Sequence, residues 1–203
     1  MMWRRVPRSL AGKPLLWALL ALPAARLLHL YATGARWPDE LTGQSGEWSA
    51  RFLILALSLT PLAQLLPRNG AVRWLLARRR AIGVASFLYA VLHLAFYAID
   101  MGALAAIVDE LALTGIWTGW AALLLMLPLA LTSTDRAMRA MRRGWKRLQR
   151  LAYPAALLTL AHWSVVHNGW AEALLWFAPL TALQLVRLIR LVPASSQPKE
   201  KTA

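Results

Sequence analysis

The stretch RRAIGVASFLYAVLHLAFYAIDMG, residues 79–102, decides the fold. Two arginines are followed by an uncharged run from Ala81 to Ile99, and the run closes on Asp100 and Gly102. About 20 apolar residues in helical rise cross roughly 30 Å of hydrocarbon, so this segment reads as a transmembrane helix. Five further stretches come near the same length: about 14–32, 50–66, 116–131, 151–167 and 171–191. With 59% hydrophobic residues across 203 positions, the chain reads as all-α, a polytopic membrane bundle of six transmembrane helices. The spans use up the chain, so residues 1–203 form a single integral membrane domain, with 193–203 as a polar cytoplasmic tail. The first run follows Arg4, Arg5, Arg8 and Lys13 as a signal peptide would. Its length, the internal Arg26 and the lack of a small-x-small cleavage site make it a retained helix, kinked at Pro23.

Charge sets the orientation. Lys and Arg number four in 1–14, five in 67–80, seven in 132–150 and four in 187–203. The alternate connections carry Asp39, Glu40, Glu47, Asp100, Asp109, Glu110 and Glu172. By the positive-inside rule both termini are cytoplasmic, which agrees with an even number of spans. The formal net charge of +14 therefore follows from topology and needs no nucleic-acid partner.

There are no cysteines, which removes thiolate metal sites, iron–sulfur clusters and disulfides. Histidine is the remaining strong nitrogen ligand. His93 lies 12 residues past the basic start of its span and His162 lies 11 past the start of the fifth, hence roughly 18 and 17 Å across the membrane. Two imidazoles at one depth on separate helices suit the axial positions of a haem iron, with Gly83, Ser86, Ala90, Ala155, Ala156 and Thr159 leaving room for a macrocycle. The alternative is that each imidazole only hydrogen-bonds within the bundle. His29 and His167 fall toward the outer ends of their spans and read as interfacial polar residues.

The 79–102 stretch resembles the third helix of the MsrQ family, haem-binding membrane subunits of the periplasmic methionine sulfoxide reductase system. Further matches follow in order. Gly46-Glu47-Trp48 with Arg51 and Leu59-Thr60-Pro61 is similar to that family's second helix, Pro128 to Ser133 to the end of the fourth, and Trp145-Lys146-Arg147-Leu148 through Tyr153 to His162 to the fifth. The resemblance covers about residues 37–165, a ferric-reductase-like transmembrane core. It implies a non-catalytic electron-transfer subunit carrying haem b on His93 and His162, in the bacterial inner membrane. Electrons would come from quinol or a cytosolic flavin reductase and pass to MsrP, a periplasmic molybdopterin reductase, in a heterodimer. FMN is implied by the resemblance alone, since the sequence carries no glycine-rich phosphate loop.

One departure stands out. Where the family has a histidine after Trp145-Lys-Arg-Leu, a proposed ligand of a second haem, this chain has Gln149, which puts that haem in doubt. On a straight helix Gln149 and His162 lie roughly 140° apart, unless Pro154 bends the segment. Arg78, Arg79 and Trp145 either border an inner cofactor or anchor helix ends at the lipid surface. The outer loops, with Trp37, Trp48, Asp100 and Asp109, would face the soluble partner. Two rival functions remain open: the membrane core of a ferric reductase or oxidase served by a separate flavin subunit, and a non-haem transporter, which would place charge at the midplane.

Overall fold

The computed structural model describes residues 12–166 and 170–191. All regular structure among them is helical: α1 (Gly12–Ala32), α2 (Pro38–Leu65), α3 (Gly70–Met101), α4 (Leu104–Glu110), α5 (Thr114–Leu131), α6 (Asp135–Met141), α7 (Arg143–Leu148), a 3₁₀ turn (Gln149–Leu151), α8 (Ala152–Val166) and α9 (Trp170–Leu191). Five of these are long and apolar enough to cross a membrane: α1 from Pro14, α2, α3, α5 and α9 to Ile189. The expected span at 151–167 is α8, which has only 15 residues and covers about 22 Å at 1.5 Å per residue. The 3₁₀ turn and α7 continue it at its start, just before Pro154. Because α8 packs against α5, α9 and α2, it need not match the bilayer thickness alone. The expected tail at 193–203 and His167 lie outside the described residues.

Two helices are longer than their apolar runs. Helix α2 begins at Pro38, with proline in its first turn where a missing N–H costs nothing. Glu47 and Trp48 are therefore helical, and Trp48 packs on Phe52 with ring centroids 5.6 Å apart instead of lying in a loop facing a partner. Trp37, Asp100 and Asp109 do lie exposed at this end of the bundle, which also carries α4. Helix α3 begins at Gly70, capped by the Asn69 side chain, which accepts from the Val72 amide at 3.0 Å. Arg73, Arg78, Arg79 and Arg80 thus sit on helix, not loop. Charged residues extend both helices because water outside the hydrocarbon tolerates them while the backbone ladder continues.

Helices α2 and α3 form one close antiparallel pair and α5 and α8 another. Apolar burial drives little helix association in lipid, so packing and interhelical hydrogen bonds do this work. Ser49 Oγ donates to the Ser86 carbonyl at 2.9 Å, and Ser86 Oγ donates to the Ser49 carbonyl at 2.8 Å. Small side chains let the backbones approach, and the two bonds set the register. Helix α1 lies outside this pair, burying Leu16, Leu20 and Leu27. Its Pro23 opens the ladder, and Tyr89 of α3 repairs it. The Ala24 amide donates to Tyr89 Oη at 2.7 Å, and Tyr89 Oη donates to the Leu20 carbonyl at 2.8 Å. The phenol is inserted between two groups that would pair with each other in an unbroken helix.

Tyr89→Phe leaves the Ala24 amide and the Leu20 carbonyl without that bridge in an apolar setting. The expected loss is about 1–3 kcal/mol, read as a lower unfolding midpoint in detergent. An unchanged midpoint would mean that α1 closes its own ladder at Pro23.

Candidate functional site

His93 on α3 and His162 on α8 come from the two different helix pairs, yet their rings meet. The centroids are 5.8 Å apart and the planes stand at 87°. Each imidazole leans across its own pair. His93 Nδ1 is 2.8 Å from the Thr42 carbonyl of α2, and His162 Nδ1 is 2.5 Å from the Gly115 carbonyl of α5. A carbonyl can only accept, so each Nδ1 carries the proton and donates, and each Nε2 keeps its lone pair. A carbonyl partner of this kind fixes the tautomer of a metal-binding histidine and orients its ring.

Four residues beyond each accepting carbonyl stands a glycine that the ring requires. A Cβ on Gly46 would lie 2.9 Å from His93 Nδ1, and a Cβ on Gly119 would lie 2.8 Å from both Nδ1 and Cε1 of His162. Both contacts are closer than real Cβ atoms make. Carbonyl and glycine thus form one cradle, built once on α2 and again on α5.

The two rings border a cavity of about 320 Å³, walled by Gly46, Ala90, Gly119 and Thr159, with Asp39, Glu47 and Tyr97 also on its lining. Tyr97 Oη donates to Glu110 of α4 at 2.8 Å, tying the short helix to the rim. Among the described residues no group of three or more His, Asp or Glu side chains could hold a metal ion. Two facing imidazoles suit a metal whose other ligands come with it. Metal–imidazole bonds of about 2 Å on either side, plus the depth of each ring, put the centroids roughly 6 Å apart, close to the separation found. Of the small residues expected around this site, Ala90 and Thr159 line it, Ala155, Ala156 and Ser86 are buried in helix packing, and Gly83 faces elsewhere. His29 is exposed on α1 and does not line the cavity.

A second cavity of about 490 Å³ lies toward the α6 and α7 end. Arg79, Arg80, Lys146, Arg150 and Arg187 surround it, together with Trp145 and Gln149. The structure therefore brings Arg79 and Trp145 together, whereas Arg78 is turned onto Trp74, 4.0 Å from the ring centroid. Arg79 donates to Thr60 Oγ1 at 2.7 Å, and Trp145 Nε1 donates to the Thr132 carbonyl at 2.9 Å. Arg80 pairs with Asp135 at 2.5 Å, but its Nη1 and the Nε of Arg187 are buried without a hydrogen-bond partner. Such orphaned donors suit an anionic group. Gln149 Nε2 donates to the Leu129 carbonyl at 3.3 Å and lines this cavity, not the histidine one. Met126 borders both cavities.

Sequence reading did not find the two cradles or the part played by Arg187. The Gly115-x-x-x-Gly119 spacing was the available signal, since small residues four apart let a neighbouring helix approach closely. Nothing in the sequence pointed to Thr42, whose contribution is its backbone.

A helical membrane protein in which two imidazoles from separate helix pairs meet at one cavity is the class that fold and site define. The family described as "Ferric reductase like transmembrane component" matches residues 45–160. The chain is 39% identical over 156 residues to the "Protein-methionine-sulfoxide reductase heme-binding subunit MsrQ" of Xanthomonas euvesicatoria pv. vesicatoria (strain 85-10), covering 75% of this chain and 70% of that one. It is 35% identical over 197 residues to the protein of the same name from Brucella ovis (strain ATCC 25840 / 63/290 / NCTC 10512), covering 92% and 86%. The chain belongs to the ferric-reductase-like transmembrane family and, within it, to the MsrQ family. No solved structure matches it.

Gly46→Ala and Gly119→Ala each force an imidazole off its carbonyl, an overpacking cost of about 1–3 kcal/mol, or about fivefold to 150-fold in affinity. Titration of the detergent-purified apoprotein with haemin is expected to show that loss, while Gly83→Ala, which meets open space, leaves binding unchanged. Equal affinity for all three variants would mean that the cradles do not position the rings.

Proposed function

We propose that this protein is a haem b electron-transfer subunit of the bacterial inner membrane, with His93 and His162 as the two axial ligands. The observation that carries the reading is the pair of facing rings, brought together from two helix pairs with each Nδ1 held by a backbone carbonyl. Bound there, a haem supplies a one-electron carrier. The protein's own part is to fix both imidazoles, to exclude bulk water by apolar helices, and to hold the site near one end of the bundle.

The positive-inside rule supports placing both termini and the α6 and α7 end in the cytoplasm, because the basic clusters gather there. The histidine cavity then lies toward the periplasm, below the exposed Trp37, Asp100 and Asp109, where the soluble reductase MsrP would dock to form a heterodimer. The relatives' names refer to a methionine sulfoxide reductase system, which supports repair of oxidised periplasmic proteins as the use of the electrons. The protein makes and breaks no substrate bond in this reading.

The basic cavity is the proposed entry point for electrons. Arg79, Arg80 and Arg187 offer donors for a phosphate, and Trp145 offers an apolar wall, a combination suited to FMN. Quinol, or a cytosolic flavin reductase, would reduce the protein from this side. A single haem leaves a long way to cross, and Met126, bordering both cavities, makes that path continuous through protein. Gln149 already donates to the Leu129 carbonyl, and an amide is a poor iron ligand, so one haem per chain is expected.

The test is the haem-to-polypeptide ratio of protein purified in detergent, measured by pyridine haemochrome. A ratio near one is expected, falling steeply in His93→Ala and in His162→Ala and staying unchanged in His29→Ala and Gln149→Ala. Full haem in both single variants at His93 and His162 would overturn the ligand assignment. For the basic cavity, Arg80→Ala and Arg187→Ala are each expected to weaken FMN binding about tenfold or more, as loss of a hydrogen bond to a charged group does. Quenching of flavin fluorescence during titration reads that change.

A further inference from the structure

The Gly46-Glu47-Trp48 and Arg51 group lies on α2 where its polar first part meets its apolar run. Glu47 and Arg51 form an ion pair at 2.6 Å, each side chain 25% exposed. An ion pair whose side chains are both only partly exposed, with its carboxylate on the wall of the cavity that two histidines border, calls for a function beyond holding helices together. The two partners face different ways. Glu47 lines the histidine cavity, one residue after the Gly46 that touches the His93 ring. Arg51 is turned away from that lining and toward α9. Its guanidinium lies 4.6 Å from the Trp176 ring centroid and 5.2 Å from that of Trp48. Two indoles hold the cation where the carboxylate alone would let it swing.

We propose that the Glu47 and Arg51 pair sets the reduction potential of the iron site, with the carboxylate as the end nearer the metal. This rests on the assignment of His93 and His162 as haem ligands. Reduction adds one electron, taken from the donor or the titrant, to the ferric iron without any bond being made. A carboxylate on the cavity wall opposes that added negative charge, and a guanidinium favours it. Both side chains are only partly exposed, so solvent screens neither charge fully. With Glu47 the nearer, the pair as a whole holds the potential down. Both residues act through the field at the iron and are positioning residues, not catalytic ones.

The test is a spectroscopic redox titration of the full-length, haem-loaded protein in detergent, with haem content measured alongside. Glu47→Gln is expected to raise the midpoint potential and Arg51→Gln to lower it. The double variant falls between Glu47→Gln and the wild type, and Glu47→Asp stays near the wild type. A merely structural pair would shift the single variants in one direction, or not at all, and either result with haem content intact would overturn the proposal. If Arg51→Gln does not fold, the order of Glu47→Gln above the double variant above the wild type still decides. Wild-type protein that binds no haem would overturn the ligand assignment itself, and this inference with it.

Discussion

The hydrogen bond from each imidazole Nδ1 to a helix carbonyl on the neighbouring helix is the constraint on which the rest of the site depends. A histidine in hydrocarbon must satisfy two ring nitrogens, and a backbone carbonyl one turn before a glycine answers one of them at close range. The glycine is what makes the approach possible. It brings α2 against the His93 ring and α5 against the His162 ring, so each helix pair carries one finished half of the site. Docking the pairs then brings the two rings together, with centroids 5.8 Å apart.

The same economy governs the rest of the interior. Lipid offers no hydrogen bonds, so polar groups at depth draw their partners from within the protein. Tyr89 spans the gap that Pro23 leaves in α1, Ser49 and Ser86 exchange bonds across α2 and α3, and Arg51 is shared between Glu47 and two indoles. These contacts tie α1 to α3, and α3 and α9 to α2. Helix α2 is thereby both the scaffold of the bundle and one wall of the histidine cavity.

The charge asymmetry has a functional side as well as a topological one. Arginines and lysines that would orient the helices also close around a cavity at one end, two of them with buried donors left over. At the other end the cavity is lined by Asp39, Glu47 and Tyr97. One end therefore suits an anionic cofactor, while the other combines acidic side chains with two imidazoles.

Much of this was open to reading in one dimension. Long apolar runs can satisfy their backbones in lipid only as helices, so the all-helical membrane class and the approximate position of the long helices follow from composition, whereas the sixth expected span is the short α8. His93 and His162 stood out because ionisable residues there are costly and rare. Helix ends were less legible: α2 and α3 run eleven or twelve residues beyond their apolar runs, because water beyond the hydrocarbon accepts either helix or loop. Sequence alone thus determined the membrane class, the charge asymmetry and the two histidines at matched depth. Tertiary structure alone decided that α8 is short, that Gly46 and Gly119 cradle the rings, that Gln149 belongs to the basic cavity, and that Glu47 faces the histidines while Arg51 faces α9. The reason is physical: hydrophobic patterning acts along the chain, whereas a backbone carbonyl, a missing Cβ and the direction of an ion pair acquire meaning only from the helix opposite.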